Sequence, residues 1–262
     1  MKIVKFMGKP VILNFLYFFL IAIFVFSACQ PAEPAAVEEE FFFEQGGIKL
    51  HYDPQLVIDV QPPSESVPAS GGDEAYSAPH PEFVHFDLYM EQAQVYVAPV
   101  EGYKDAADFA PGVIADLQAL IDTPENFNEC VPELPLKQFF HTCDHQQFNA
   151  SLGKLDFQNG SGIRFVTVYA VQDMAPVDND HLLYVFQGFT NDGKYYLKAL
   201  VRMLHAQLPD TGEIPADIYS STDPAVLEDY FGGFERVLEA DEAGFAPKLK
   251  WIDAFLGSLR VE

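Results

Sequence analysis

Residues 182–203, LLYVFQGFTNDGKYYLKALVRM, decide the fold. Leu182 to Phe189 is apolar at odd and even positions alike, the pattern of a strand covered on both faces. Lys194 to Met203 alternates instead. Tyr195, Leu197, Ala199, Val201 and Met203 share one side, Lys198 and Arg202 the other, so this strand is expected to lie nearer water. Thr190-Asn191-Asp192-Gly193 between them is a tight turn with a glycine available for positive φ, which predicts an antiparallel hairpin. Upstream, Ile163 to Gln172 is again apolar on both faces and completes a β triplet.

Helical patterns flank the triplet. Val113, Ile114, Leu117, Leu120 and Ile121 recur at helical spacing behind Pro111, a residue suited to a first turn. Asp223-Pro224 has the form of an N-cap and N1 pair. The residues after it put Val226, Leu227, Tyr230, Phe234, Val237 and Leu238 on one face. Pro247 opens a last helix striped by Leu249, Ile252, Leu256 and Leu259. Nearer the N-terminus, Ile48 to Tyr52 and Leu56 to Val60 read as short strands around an Asp53-Pro54 turn. Val84, Phe86 and Leu88 alternate with His85, Asp87 and Tyr89, as in a strand with one wet face, and Ala93 to Pro99 follows as its hairpin partner. Residues 61–82, with five prolines and Gly71-Gly72, read as irregular. The expected fold class is α+β, one domain over residues 47–262 in which helices cover an antiparallel sheet.

The N-terminus supplies an address. Lys2, Lys5 and Lys9 precede an apolar run of about 16 residues, Val11 to Phe26, broken only by Asn14 and followed by Ser27, Ala28 and Cys29. The run falls short of the roughly 20 residues that comfortably span a bilayer, so residues 1–28 read as an export signal. Phe26-Ser27-Ala28-Cys29 resembles a bacterial lipobox, with Phe26 where Leu, Val or Ile is usual. That resemblance implies lipidation of Cys29. The other reading is a plain membrane anchor, and both put the remaining chain outside the cytoplasmic membrane. Two or three acyl chains make attachment effectively permanent. Residues 29–46, rich in Pro, Ala and Glu, read as a flexible tether, interrupted by Phe41, Phe42 and Phe43, which could dock on the body or sit near lipid.

Charge excludes one class of partner. The 262 residues carry 15 Lys and Arg against 39 Asp and Glu, a formal charge of −24, and such a chain repels nucleic-acid phosphates. Loss of residues 1–28, which hold three Lys and no acid, leaves 234 residues and −27. With Cys29 assigned to lipid, Cys130 and Cys143 remain in an oxidising compartment and are expected to pair. Their closed loop of 14 residues would contribute about 3 kcal/mol in the chain-entropy picture. A metal site or two free thiols are the alternatives.

Leu155-Asp156-Phe157-Gln158-Asn159-Gly160-Ser161-Gly162-Ile163-Arg164-Phe165, followed by Tyr184 and by Asp192-Gly193-Lys194-Tyr195-Tyr196, resembles a group of bacterial lipoproteins without assigned activity that share this secreted N-terminus. The resemblance spans most of residues 48–205 and implies no reaction, cofactor or catalytic residue. In outline the chain is also similar to PsbP-like domains, antiparallel sheets with helices on both faces, which offers an α/β/α sandwich as the alternative architecture. Fold alone carries no function.

Chemically, His141-Thr142-Cys143-Asp144-His145 is the densest group of metal-ligand types, with two histidines at i, i+4 spacing that could share a helical face. No Glu lies between them as in metallohydrolases, and Cys143 is better used in a disulfide. Asp173, Asp178 and Asp180 could chelate calcium, yet Pro176 to His181 lacks an EF-hand's glycine and closing Glu, so a solvated loop is the simpler expectation. Arg164 in its apolar strand could hold an anion or pair with a carboxylate. Gly160-Ser161-Gly162 lacks nucleophile-elbow spacing, and no phosphate-binding loop, His-Glu-x-x-His or Cys-x-x-Cys is present. The 12 Tyr and 24 Phe are read as core more readily than as a ligand platform. The expected role is a lipid-anchored, non-enzymatic binding or envelope-accessory module that needs no cofactor. The alternative is a metal-dependent envelope enzyme centred on His141, Cys143 and His145.

Overall fold

A tight turn at Thr190 to Gly193 joins the two strands on which the architecture rests, with Gly193 at φ +69°. The computed structural model describes residues 41–56, 65–71, 79–88, 93–127, 130–136, 145–170 and 174–262. Their order is β1 (Phe42–Gln45), β2 (Ile48–His51), β3 (Glu65–Val67), β4 (Phe83–Leu88), β5 (Ala93–Pro99), α1 (Val100–Ala106), α2 (Ala110–Asp122), β6 (Ala150–Phe157), β7 (Gly160–Val168), β8 (Leu182–Thr190), β9 (Tyr195–Arg202), β10 (Leu204–His205), α3 (Ala216–Tyr219), α4 (Pro224–Ala240), β11 (Phe245–Ala246), α5 (Leu249–Gly257) and β12 (Arg260–Val261). The fold is α+β, built on a seven-stranded sheet of order β3-β4-β5-β9-β8-β7-β6 with every neighbouring pair antiparallel.

Both faces of the sheet are dry along β7, β8 and β9, because strand alternation sends successive side chains into two separate cores. Tyr96, Phe165, Val185, Tyr196 and Leu200 face α1 and α2. Val97, Val166, Phe186, Leu197 and Ala199 face α4, α5 and the small sheet β1-β2-β12. Each aliphatic or aromatic side chain fully buried here contributes about 1.5–3 kcal/mol of transfer free energy. On β7, Gly162 lets a ring lie flat on the strand: a Cβ there would sit 2.5 Å from the Phe186 ring.

The helices start where the sequence signals. Pro111 sits in the first turn of α2, and Asp223 caps α4 by accepting the Ala225 N–H at 3.0 Å. The α4 stripe packs as expected at Leu227, Tyr230, Phe234 and Leu238, which lie against the core. Phe231 joins Leu238 as a fully buried residue of the helix, and Val226, in its first turn, is exposed.

Three expectations are corrected. β9, expected nearer water, is the central strand, and Lys198 is fully buried because the segment Cys130–Leu136 lies over that face. The stretch expected as tether holds β1, which pairs with β2 in register Phe42↔His51 to Gln45↔Ile48, and the Phe43 ring stacks on Tyr52 at 4.9 Å. The folded unit therefore begins at Phe41. The irregular stretch 61–82 contributes the edge strand β3, paired with β4, and a bridge between Ser70 and His80. The strand expected at Leu56 to Val60 lies outside the described residues past Leu56. Among the described residues no helix is long and apolar enough to cross a membrane.

Candidate functional site

Two polar constellations stand out. The first lies under Cys130–Leu136, a strap without regular structure whose Val131, Leu134 and Leu136 sink into the core beneath α2. An irregular segment in such a place must have its backbone groups satisfied by side chains. The Gln146 carboxamide accepts the Val131 N–H at 3.1 Å and donates to the Val131 carbonyl at 2.7 Å. Gln187 donates to the Pro132 carbonyl and Tyr103 to the Pro135 carbonyl, both at 2.9 Å. Tyr196 in turn donates to Gln187 Oε1 at 2.7 Å.

At the strap's centre Glu133 Oε2 accepts from Lys198 Nζ at 2.7 Å, with both side chains at 0% exposure. Tyr169 donates to Glu133 Oε1, and Gln146 approaches the same oxygen at 3.4 Å. Burial, and next the Glu133 charge, hold the Tyr169 phenol well above its ordinary value, so it stays a neutral donor. Burial first, then Tyr103 and Glu133, do the same to Tyr196. No solute reaches these groups. The chemistry of this network is positional: it fixes the strap to β7, β8 and β9.

The second constellation is open to solvent. A groove of about 690 Å³ runs between α4 and the chain around Phe127 and Gln147 to Asn149. Helical periodicity puts Glu228, Glu235 and Glu239 on one arc of α4, with Gly232 in the same row. Phe127, Phe148, Leu227 and Phe231 supply apolar lining. Burial raises the Glu235 carboxyl above its ordinary range, the neighbouring Glu239 raises it further, and Arg236 opposes both. Arg236 itself reaches Asp229 at 3.6 Å. Carboxylates, amides and rings of this kind hold cations and apolar stems.

The residues singled out in the sequence are placed as follows. Cys29, His141 and Cys143 lie outside the described residues, as does Asp173, and with them the lipid site, the second cysteine of the Cys130–Cys143 pair and the histidine cluster. Cys130 opens the strap, partly buried. The carbonyl of His145 accepts the Ala170 N–H at 2.9 Å. Among the described residues no group of three or more His, Cys, Asp or Glu is arranged to hold a metal ion.

Asp178 departs from the solvated loop expected of it. It is 1% exposed, its Oδ1 accepts from the Asp180 and His181 N–H groups at 3.1 and 3.0 Å, and its Oδ2 accepts from Gly212 at 2.7 Å. Those donors make it a loop anchor. Arg164 pairs with a carboxylate, Asp253 of α5 at 3.7 Å, and Asp253 also accepts from Tyr184 at 2.7 Å. Sequence reasoning missed Glu133, Gln146 and the α4 row. The one available signal was the charge at Lys198 in the middle of β9, flanked by Leu197 and Ala199. No protein-family model matches the chain, and no curated protein or solved structure gave a match to it.

Proposed function

We propose that this chain is a lipid-anchored extracytoplasmic protein of the lipoprotein group it resembles, acting as a non-enzymatic binding or envelope-accessory module. The open groove along α4 is its ligand seat. The observation that carries the binding role is that groove: about 690 Å³, in the range of small-molecule sites, with apolar lining and a few convergent polar groups on a rigid helix. The anchoring role is supported by the basic, apolar and small-residue order of residues 1–29, ending in Ser27-Ala28-Cys29. The folded unit starts twelve residues after Cys29, a reach of at most about 40 Å from the membrane. A body of formal charge −27 would be held off an anionic surface at that distance. Cys130 and Cys143 pair in this reading.

Labelled palmitate tests the anchor. The wild-type protein incorporates it and fractionates with membranes, and the Cys29→Ser protein does neither. Unlabelled wild type, with Cys29→Ser remaining membrane-bound at precursor mass, would overturn the reading. Intact mass tests the rest: the folded body should run two hydrogens light and metal-free. Stoichiometric metal with reduced thiols would instead establish a metal centre at His141, Cys143 and His145.

A further inference from the structure

We infer that Lys198 and Glu133 condense into an intramolecular amide, Nζ to Cδ, that crosslinks the strap Cys130–Leu136 to the central strand β9. The inference goes beyond the binding role proposed above and does not depend on the groove.

The fold brings the reacting groups together and keeps everything else out. Lys198 Nζ stands 2.7 Å from Glu133 Oε2, with both side chains at 0% exposure. Each is rooted in a separate element: Lys198 in β9, flanked by β5 and β8, and Glu133 in a strap whose Val131, Leu134 and Leu136 are buried. Neither can withdraw without unfolding its surroundings. Reacting groups held in this way behave as though present at about 10⁵–10⁸ M. A dry ion pair gains little over apolar side chains of the same size, so stability alone is a poor account of why the core holds these two.

The other carboxyl oxygen gives the second indication. Tyr169 donates to Glu133 Oε1, and Gln146 Nε2 approaches the same atom at 3.4 Å. Two donors therefore face the oxygen on which negative charge develops when an amine adds to Cδ. Burial keeps the Tyr169 phenol protonated for that task.

The atoms balance without a co-reactant. One ammonium proton passes from Nζ to Oε2, leaving a neutral amine and a carboxylic acid, an exchange that the loss of hydration favours. The nitrogen lone pair adds to Cδ, and the electron pair displaced onto Oε1 is held by Tyr169 and Gln146. A second proton passes from Nζ to Oε2, the Cδ–Oε2 bond breaks, water leaves and the carbonyl at Oε1 re-forms as the amide. Nothing is oxidised or reduced. The ion pair is the state in which the two groups first meet, so variants lacking either one still report on it directly.

Gln187 offers a competing acyl group, since it lies opposite Lys198 in the β8–β9 register. Its carboxamide is held by Tyr196 at Oε1 and by the Pro132 carbonyl at Nε2.

Tryptic mapping of the full chain, reduced and denatured after folding, decides it. A branched peptide joining Glu133 to Lys198 is expected, one water lighter than the sum of its parts and uncleaved after Lys198. Lys198→Arg keeps a cation against Glu133 but has no nucleophilic amine, so it should yield linear peptides only. Tyr169→Phe, with its fold checked by circular dichroism, should slow appearance of the branch in a pulse-label experiment about a hundredfold. Three results would overturn the inference: Lys198 and Glu133 recovered from folded wild type only in linear peptides, a branch to Gln146 or Gln187 one ammonia lighter, or a branch formed at the wild-type rate in folded Tyr169→Phe.

Discussion

Lys198 Nζ on the central strand and Glu133 Oε2 on the strap meet at 2.7 Å with neither side chain exposed to water. This pair joins an irregular segment to the middle of the sheet across 65 residues of sequence. Tyr169 and Gln146 occupy the other carboxylate oxygen. A buried ion pair is weak support for stability when compared with apolar side chains of the same size, but breaking it from one side strands a charge.

Lys198→Met alone is therefore expected to cost about 3–5 kcal/mol, because it leaves the Glu133 carboxylate buried without its cation. Lys198→Met combined with Glu133→Gln should recover most of that loss. Urea unfolding of the two single variants and the double variant yields the coupling energy directly, and additive losses would show that the two groups do not act together.

The hairpin turn has a sharper signature. Gly193 stands at φ +69°, so Gly193→Ala is expected to cost about 1–2 kcal/mol, with Gly193→Asn costing less. Hydrogen bonds from Lys194 and Thr190 hold the Asp192 carboxyl down to about 2 from its ordinary 3.8. A folded value below the unfolded one means that its contribution is present above the unfolded value and lost as pH falls through about 2. Carbon-detected NMR titration of Asp192 reads this, and an ordinary carboxyl midpoint there would show that the Thr190 and Lys194 hydrogen bonds to Asp192 do not hold in solution.

What was legible in the sequence was whatever local chemistry controls. Gly193 announced its turn, Asp223 its cap, and Leu182 to Phe189 its two covered faces. Lys198 was misread because alternation along β9 shows which residues share a face, but not that a strap from residues 130–136 covers that face. Phe42 and Phe43 were read with the polar segment before them. Their strand exists only because β2, itself paired with β12 from the far end of the chain, offers an edge. β6 went unnoticed because Ser151 and Gly153 interrupt its alternation where a register shift lies. The glutamates of α4 look like any solvated helix face until Phe148 and Phe127 are brought opposite them.

The α4 cap allows a local test of helix energetics. Asp223 accepts the Ala225 N–H, leaving fewer orphan donors at the helix start, so Asp223→Ala is expected to cost about 0.5–2 kcal/mol, and Asp223→Ser far less. Gly233→Ala, whose added Cβ would meet only the Arg236 guanidinium at 3.9 Å, should stabilise by about 0.5–1 kcal/mol. Thermal unfolding of the two variants should therefore move in opposite directions. Equal shifts would mean that α4 docks by side-chain burial alone and that its backbone propensity is immaterial.

Glu235 links the groove to pH. Burial, and next the charge of Glu239, raise its carboxyl above the ordinary value of 4.5 against the pull of Arg236. The folded protein then holds this proton more tightly than the unfolded chain, so stability falls as pH rises from the ordinary value through the folded one, and stays lower above it. Glu235→Gln cannot ionise and keeps the side chain's shape. It should be more stable than wild type near neutral pH and equal to it in acid. The difference is expected to be only a few tenths of a kcal/mol, because water in the open groove screens the charge. Urea unfolding at both pH values reads the sign: a variant less stable at neutral pH would show that the ionised Glu235 is favourably paired, with Arg236 outweighing burial and Glu239.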